Sequence, residues 1–510
     1  MRREAQHLRR CGSSWFDDSG PDASNHNCPR KKVVISNDAL LFADFPRKLH
    51  SDAYNLAETN MLLQFTTSNF RAFREAQTLN LAASNYDKTL TANCISTELP
   101  GLKGQRWLKG VALYGPNAGG KSSLIEALEA LASMVKNSAK TIDPKEPIRQ
   151  IQPFALAPGK PVEPTGFAAV FVSDGVRFEY RVALTRERIW HESLRAFPSV
   201  KEQLWFCRDW QPETQNYKWT PDKPTTYRRD PKKEEFTLPN VLFLSKAISL
   251  GDTQLEPVFR WFKERLRFVD LSVRAGGTPL GLSTASEIFQ NTSLAPRIIE
   301  LMKHADIGIS AIHVREEQID EKVAAILERM KEVFQDNVPG DPTKLKMPRV
   351  ELSHSADLGV SIPLPWEAES AGTHRLFELA GPWLDILENG YTVCIDELET
   401  SMHPLMVMAL LRLLFSDKTN PKGAQVIFTT HNPLLLDSTL LRRDQVWFAD
   451  KDDHGEAHLY PLTDYAPRKG ESLVRGYLSG RYGAVPFIPQ SLLGSFPAGK
   501  SDTGGSRDEH

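Results

Sequence analysis

The chain has 510 residues, 41% of them hydrophobic and 25% charged, with 62 Lys and Arg set against 64 Asp and Glu. That length buries a substantial core and corresponds to about two to four domain-sized units, while the near balance of charge excludes a whole-chain field for nucleic acid or a membrane surface. Five cysteines (Cys11, Cys28, Cys94, Cys207, Cys394) are scattered without a CxxC pair, against a disulfide framework or a zinc knuckle, and no apolar run approaches the roughly 20 residues of a membrane span, so a cytoplasmic protein without a membrane partner is expected.

Residues 1–60 mix charge, Ser, Asn, Pro and Gly without sustained periodicity and are expected to be a poorly ordered extension. From Met61, "MLLQFTTSNFRAFREAQTLNLAAS" reads as two short strands around a polar turn at Ser68-Asn69, where a domain begins. The stretch "GVALYGPNAGGKSSLIEALEAL" then places an apolar strand before Gly115, Pro116, Asn117, Ala118, Gly119, Gly120, Lys121, Ser122 and Ser123, and a helix pattern after them. It matches GxxxxGK[ST] in its required strand-loop-helix setting. Glycines let the backbone wrap a polyphosphate, amides at the helix start donate to it, Lys121 reaches the β- and γ-phosphates, and Ser122 can ligand Mg²⁺. ATP with Mg²⁺ is therefore the expected cofactor.

Residues 165–245 look β-rich, with alternation around the Ser173-Asp174-Gly175 turn. Glu256 to Phe334 reads as mostly helical, as in "DEKVAAILERMKEVF", and the block 161–345 is an insertion candidate. Within it, "LWFCRDWQPETQNYKWTPDKPTTYRRDPKK" interleaves aromatic and basic residues. That pattern is open to two readings: a nucleic-acid surface or a β-hairpin whose aromatics pack on one side.

Further on, "GYTVCIDELET" is a buried-strand pattern ending in Asp396 and Glu397. At that place in a P-loop NTPase an acid holds Mg²⁺ through its water shell, which suits Asp396. Glu397 points elsewhere and suits polarising a water aimed at the γ-phosphate. Glu399 is open between an outer-shell acid and a surface residue. His431 ends the next apolar strand, "GAQVIFTTH", where it can contact the γ-phosphate or serve as a hydrogen-bonded core histidine. The acids Asp450, Asp452 and Asp453 look like a metal cluster but fit a hairpin turn better. Residues 491–510 form a Gly/Ser-rich tail expected to be disordered.

Taken together, the phosphate loop, "ESAGTHRLFELAGPWL" from Glu369, "CIDELETSMHP" from Cys394 and "VIFTTHNPLLL" from Val426 resemble, in order, the ABC-class ATPase head of the RecF, OLD and abortive-infection branch filed as AAA-type. The likeness extends to the ATPase subunit of PARIS-type antiphage systems. It implies an α/β P-loop NTPase of the ABC-type head, a mixed sheet with flanking helices, whose halves at 61–160 and 346–490 are separated by the β-rich and helical insertion. It also implies that Ser370 and Gly372 act as a signature motif reaching across a homodimer to the partner's ATP, that Thr400 to His403 form a D-loop, and that His431 is a switch residue. Gln152 would be the Q-loop residue, with Gln150 nearby, and Arg71 would contact the adenine side or lie on the surface. The signature departs from LSGGQ and the acids are followed by "LETSMHP", both away from transport. Fewer than about a hundred residues follow His431, too few to add a TOPRIM nuclease, so an effector would be a separate chain. The readings open on the sequence are an ATP-hydrolysing switch of an antiphage effector, a RecF-like or SMC-like DNA-repair head, and a regulatory scaffold with weak turnover.

Overall fold

The computed structural model describes residues 60–156, 163–221, 225–269, 271, 279–305, 308–318, 346–356, 360–468 and 470–486. The expected N-terminal extension, the helix pattern at 320–334 and the C-terminal tail lie outside the described residues.

In chain order the strands and main helices begin with β1 (Met61–Ser68), β2 (Gln77–Asn80), β3 (Cys94–Ser96), β4 (Arg106–Leu108), β5 (Gly110–Tyr114) and α1 (Lys121–Asn137). Next come β6 (Thr165–Ser173), β7 (Val176–Leu184), β8 (Ile189–Phe197), β9 (Gln203–Gln211), β10 (Asn216–Thr220), α2 (Phe243–Ser249), β11 (Leu266–Val269), α3 (Pro279–Phe289) and α4 (Ala295–His304). The second half contains β12 (Ile309–Gln318), β13 (Lys346–Ser355), β14 (Ser361–Pro365), α5 (Ala371–Asn389), β15 (Thr392–Ile395), α6 (Pro404–Phe415), β16 (Gln425–Thr429), β17 (Val446–Lys451), β18 (Ala457–Pro461) and α7 (Leu473–Leu478).

The central sheet runs β11-β15-β16-β5-β17-β18 and is parallel except for its last pair. Three of its four inner strands read "GVALY", "TVCI" and "QVIFT", with every residue in them buried. Continuous apolar runs are what a parallel sheet covered on both faces requires. Because β5, β15 and β16 point the same way, the residues after their carboxyl ends gather along one edge, where open α/β sheets bind ligands. A second sheet, antiparallel, has the order β10-β9-β8-β7-β6-β1-β2. Helix α1 buries Leu124, Leu128, Leu131 and Val135 in the core it shares with Phe65, Phe167 and Phe171 of that sheet and with Val111 and Leu113 of β5. On the other face of the central sheet, Trp383 and Leu387 of α5 and Leu410 and Leu414 of α6 pack with Tyr114 and Phe428.

The block expected as a separate insertion is woven into both sheets. Strands β6 to β10 extend the sheet begun by β1 and β2, and β11 joins the central sheet beside β15. Two strands also fall where helical periodicity was expected. β11 has four residues, too few to express any period, and β12 ("ISAIHVREEQ") is drawn into a three-stranded sheet by pairing with β13. Tertiary pairing decides such short segments against a local pattern.

Candidate nucleotide site

The loop after β5 is built by close packing as well as by torsion angles. Ala118 has φ 61° and Gly120 φ 107°, left-handed values that glycine adopts without steric cost. A Cβ at Gly115 would lie 2.1 Å from the Ala449 carbonyl oxygen, and one at Gly119 would lie 2.7 Å from the same atom. The loop therefore rests directly on β17, and any larger residue at these glycines would displace it. Asn117, Ala118 and Ser122 are exposed, so the loop's open side faces solvent. Lys121 is 6% exposed and donates from Nζ to the carbonyl oxygens of Gly115 and Pro116, each at 3.0 Å. Burial lowers its pKa, while the carboxylates of Asp396, Glu397 and Glu399 pull the other way. The three acids thus lie on the same edge as the lysine.

A cavity of about 290 Å³ opens beside the loop, lined by Gly119 to Ser123, Arg71, Phe154 and Lys451 among others. Arg71 has φ 50° and donates from Nε to Gln152 Oε1 at 3.1 Å and from its backbone N–H to the Gln152 carbonyl at 2.7 Å; it also pairs with Glu126 of α1. Gln152 is therefore attached to the cavity wall through Arg71 rather than lining the phosphate loop itself.

Asp396 and Glu397 follow β15, and Thr429 ends the neighbouring β16. Thr429 Oγ1 donates to Asp396 Oδ1 at 2.5 Å and accepts from the Glu397 N–H at 2.7 Å, so one hydroxyl fixes both acids. Glu397 has φ 51° and its side chain is 57% exposed. His431 Nε2 stands 4.0 Å from Glu397 Oε1, and the His431 N–H donates to Glu399 Oε1 at 2.5 Å. The other oxygen, Glu399 Oε2, is buried with no hydrogen-bond partner among the described residues. Burial first and the Lys121 charge second lower the pKa of His431, against the opposing carboxylates, so the imidazole is neutral at pH 7.

Ser370 and Gly372 lie elsewhere on the surface, at the start of α5. Ser370 is exposed and caps the helix by accepting from the Thr373 N–H at 3.1 Å. A Cβ at Gly372 would sit 3.3 Å from the Ser401 carbonyl oxygen, which puts the "ESAGT" turn against the "TSMHP" segment. His403 caps α6 through Nδ1, accepting from the Leu405 N–H at 3.3 Å.

Sequence reasoning passed over Thr429, whose signal was its place at a strand end two residues before His431. It also passed over Lys451, which reaches the cavity only because β17 lies beside β5. Much of the aromatic and basic stretch is spent internally: Trp205 stacks on Tyr227 at 5.7 Å, Trp219 meets Phe243 at 4.9 Å, and Arg208 and Arg229 pair with Glu192 and Glu234, while Lys218, Arg228 and Lys232 are exposed. This is the packed hairpin, and the nucleic-acid reading of it gains no support. The acids near Asp452 form a turn, in which Asp452 Oδ1 accepts from the His454 and Glu456 N–H groups at 2.9 Å each.

A parallel sheet with a phosphate loop after a central strand and paired acids after its neighbour defines a P-loop NTPase. The chain matches, over residues 111–437, the AAA_21 family, described as "AAA domain, putative AbiEii toxin, Type IV TA system", and it belongs to that family. No curated protein matches it. Among solved structures it is similar to the SMC head domain from Thermotoga maritima, with 12% identity over 78% of this chain and 98% of that one and a TM-score of 0.35. It is also similar to an Smc head domain with an extended coiled coil, bound to the C-terminal domain of ScpA, from Pyrococcus furiosus, with 11% identity over 83% and 99% and a TM-score of 0.36. Among the described residues no helix is long and apolar enough to cross a membrane.

Proposed function

We propose that this protein is a cytoplasmic Mg-ATP hydrolase whose complete site forms between two copies, and that the ATP cycle controls a separate effector in antiphage, abortive-infection defence of the PARIS type. The observation that carries the composite site is its division. Lys121, Asp396, Glu397 and His431 share one edge of the central sheet, whereas exposed Ser370 and half-buried Gly372, which stands against Ser401, form a turn absent from the cavity lining.

In the chemistry that follows, bound Mg²⁺ would neutralise phosphate charge, with Ser122 and Asp396 as its protein partners. Lys121 exchanges its two carbonyl acceptors for phosphate oxygens. Glu397, exposed and fixed at its backbone by Thr429, orients and deprotonates the attacking water. Neutral His431 donates from one ring nitrogen to the γ-phosphate while Glu399 holds its backbone. Ser370 and Gly372 present the α5 N-terminus to the partner's γ-phosphate, where helix amides favour an anion. The defence role is supported by the family description, which names an AbiEii-type toxin and a toxin-antitoxin system.

The test mixes two inactive variants. Glu397→Gln and Ser370→Arg should each lose turnover alone. Mixed, they form a heterodimer in which one site combines an intact loop and acid with an intact partner serine, so turnover partly returns. Failure to recover activity on mixing, with both chains folded, would reject the composite site.

A further inference from the structure

The seven-stranded sheet carries a cluster that nucleotide chemistry does not use. Strands β8 and β9 pair with His191 opposite Asp209, Glu192 opposite Arg208 and Ser193 opposite Cys207. Side chains alternate between sheet faces, so Glu192 and Arg208 enter the core and the other four residues share the opposite face. There His191 Nδ1 lies 2.7 Å from Asp209 Oδ1 and 3.9 Å from Cys207 Sγ. The Cys207 thiol donates to Asp209 Oδ2 across 3.2 Å. One nitrogen, one sulfur and one carboxylate oxygen thus lie within 4.8 Å of one another. His191 Nε2 is 2.9 Å from Ser193 Oγ, the kind of outer contact that sets the ring orientation of metal-bound histidines.

We propose that His191, Cys207 and Asp209 form a binding site for a divalent transition metal of the zinc class, with water as its fourth ligand. Zinc takes such N, S and O donors tetrahedrally at about 2.0–2.3 Å, which places ligand atoms roughly 3.3–3.7 Å apart. The observed separations of 2.7 Å (Nδ1–Oδ1), 3.2 Å (Sγ–Oδ2) and 3.9 Å (Nδ1–Sγ) bracket that range, so side-chain adjustments of about 1 Å that turn one Asp209 oxygen to the ion complete the site. A thiolate and an imidazole select against Mg²⁺ and Ca²⁺, which take oxygen donors. With side chains 29% and 42% exposed, His191 and Asp209 leave the ion a path from solvent.

The proton balance is simple. Burial first, then the Asp209 charge, pushes the Cys207 thiol up to about 12, so it carries its proton until the metal displaces it. The metal forms an M–S bond and the S–H proton leaves to solvent, while the hydrogen that Nδ1 shares with Asp209 moves by a tautomer change to Nε2, where Ser193 Oγ accepts it, freeing Nδ1 for the metal. Burial works against ionisation of Asp209, but the hydrogen bonds from His191 Nδ1 and the Cys207 thiol hold its pKa below the usual range. Lys218 faces Asp209 from β10 and is exposed, so its ammonium can withdraw into water. The Ser193–His191–Asp209 chain also has the connectivity of a hydrolase triad, but Ser193 is 1% exposed and no acyl substrate can reach its hydroxyl.

The experiment uses the full chain, freed of metal by chelation and kept without nucleotide so that the phosphate loop holds no ion. Titrated with Co²⁺, it should bind one ion per chain with release of one proton, a thiolate-to-cobalt charge-transfer band and tetrahedral d–d absorption, and Zn²⁺ should displace the cobalt and abolish both absorptions without further proton release. Cys207→Ser should lose the charge-transfer band, and His191→Gln, a substitution on the solvent side that spares the core, should lose stoichiometric binding. No thiolate band in the wild type would overturn the site. So would an unchanged band and stoichiometry in either variant, which would place the metal on another thiol; melting curves confirm that each variant is folded.

Discussion

The two large sheets of this protein carry chemistry in opposite ways. On the central parallel sheet, functional residues occur as short runs at strand ends, Gly115 to Ser123 after β5 and Asp396-Glu397 after β15, because parallel strands bring their carboxyl ends to one edge. On the antiparallel sheet, His191 and Asp209 meet only through the β8–β9 register, and a slip of one residue between the strands would put them on opposite faces. A site made of runs can be read from a sequence. A site made of register cannot.

If that contrast is correct, damage to the two sheets should separate turnover from stability. The largest effect is expected at Glu397. Glu397→Gln should retain Mg-ATP binding while phosphate release slows by about 10²–10⁴-fold, the range for loss of a positioned general base. Wild-type turnover in that variant would remove Glu397 from the mechanism.

On the antiparallel side the corresponding residue is Glu192, fully buried with Arg208. Its carboxylate also accepts from Tyr180 Oη at 2.8 Å and from the Phe243 and Leu244 N–H groups at 2.7 and 3.0 Å, joining the sheet to the start of α2. Glu192→Ala leaves the Arg208 guanidinium uncompensated in the core and should cost about 3–5 kcal/mol in chemical unfolding. Molecules still folded should bind ATP normally. A loss of nucleotide affinity larger than the loss of folded fraction would show that the two sheets are energetically coupled.

Much of the architecture was legible because it is local. The phosphate loop needs its glycines within one turn, and close contact with the Ala449 carbonyl adds a packing reason that the motif alone does not reveal. The strands β5, β15 and β16 and the residues at their ends followed from buried apolar runs, whereas their order in the sheet did not. What stayed hidden depends on pairing between distant segments: β11 joining the central sheet, β12 paired to β13, and the cluster around Cys207. Thr429 belongs to the same class, since a threonine beside "HNP" is unremarkable until β16 places it against both acids.

Thr429 therefore tests the contrast on the legible side with a residue that was not legible. Thr429→Val preserves shape but deletes the donor to Asp396 and the acceptor for the Glu397 N–H. Loss of such an outer partner typically weakens a metal site 10–100-fold. The Mg²⁺ concentration for half-maximal turnover should rise by about that factor, whereas ATP binding without Mg²⁺ should change little. An unchanged Mg²⁺ requirement would leave Asp396 positioned by its strand alone.

The smallest expected effect reads the electrostatics of the shared edge directly. His431 has a pKa below the ordinary 6.5, caused by burial first and the Lys121 ammonium second. Replacing Lys121 by Ala removes the second cause and leaves the carboxylates of Glu399, Glu397 and Asp396, all of which favour the imidazolium. The His431 pKa, followed by its ring resonances in nucleotide-free protein, should therefore move upward. Folding linkage has a definite sign as well. The folded imidazole binds its proton more weakly than the unfolded one, so its contribution to stability is present above 6.5 and lost as pH falls through the lowered folded value. In Lys121→Ala that loss should be smaller. A His431 titration that ignores Lys121 would mean that the lysine and His431 do not share one edge, and with it would go the proposal that His431 senses the γ-phosphate held by Lys121.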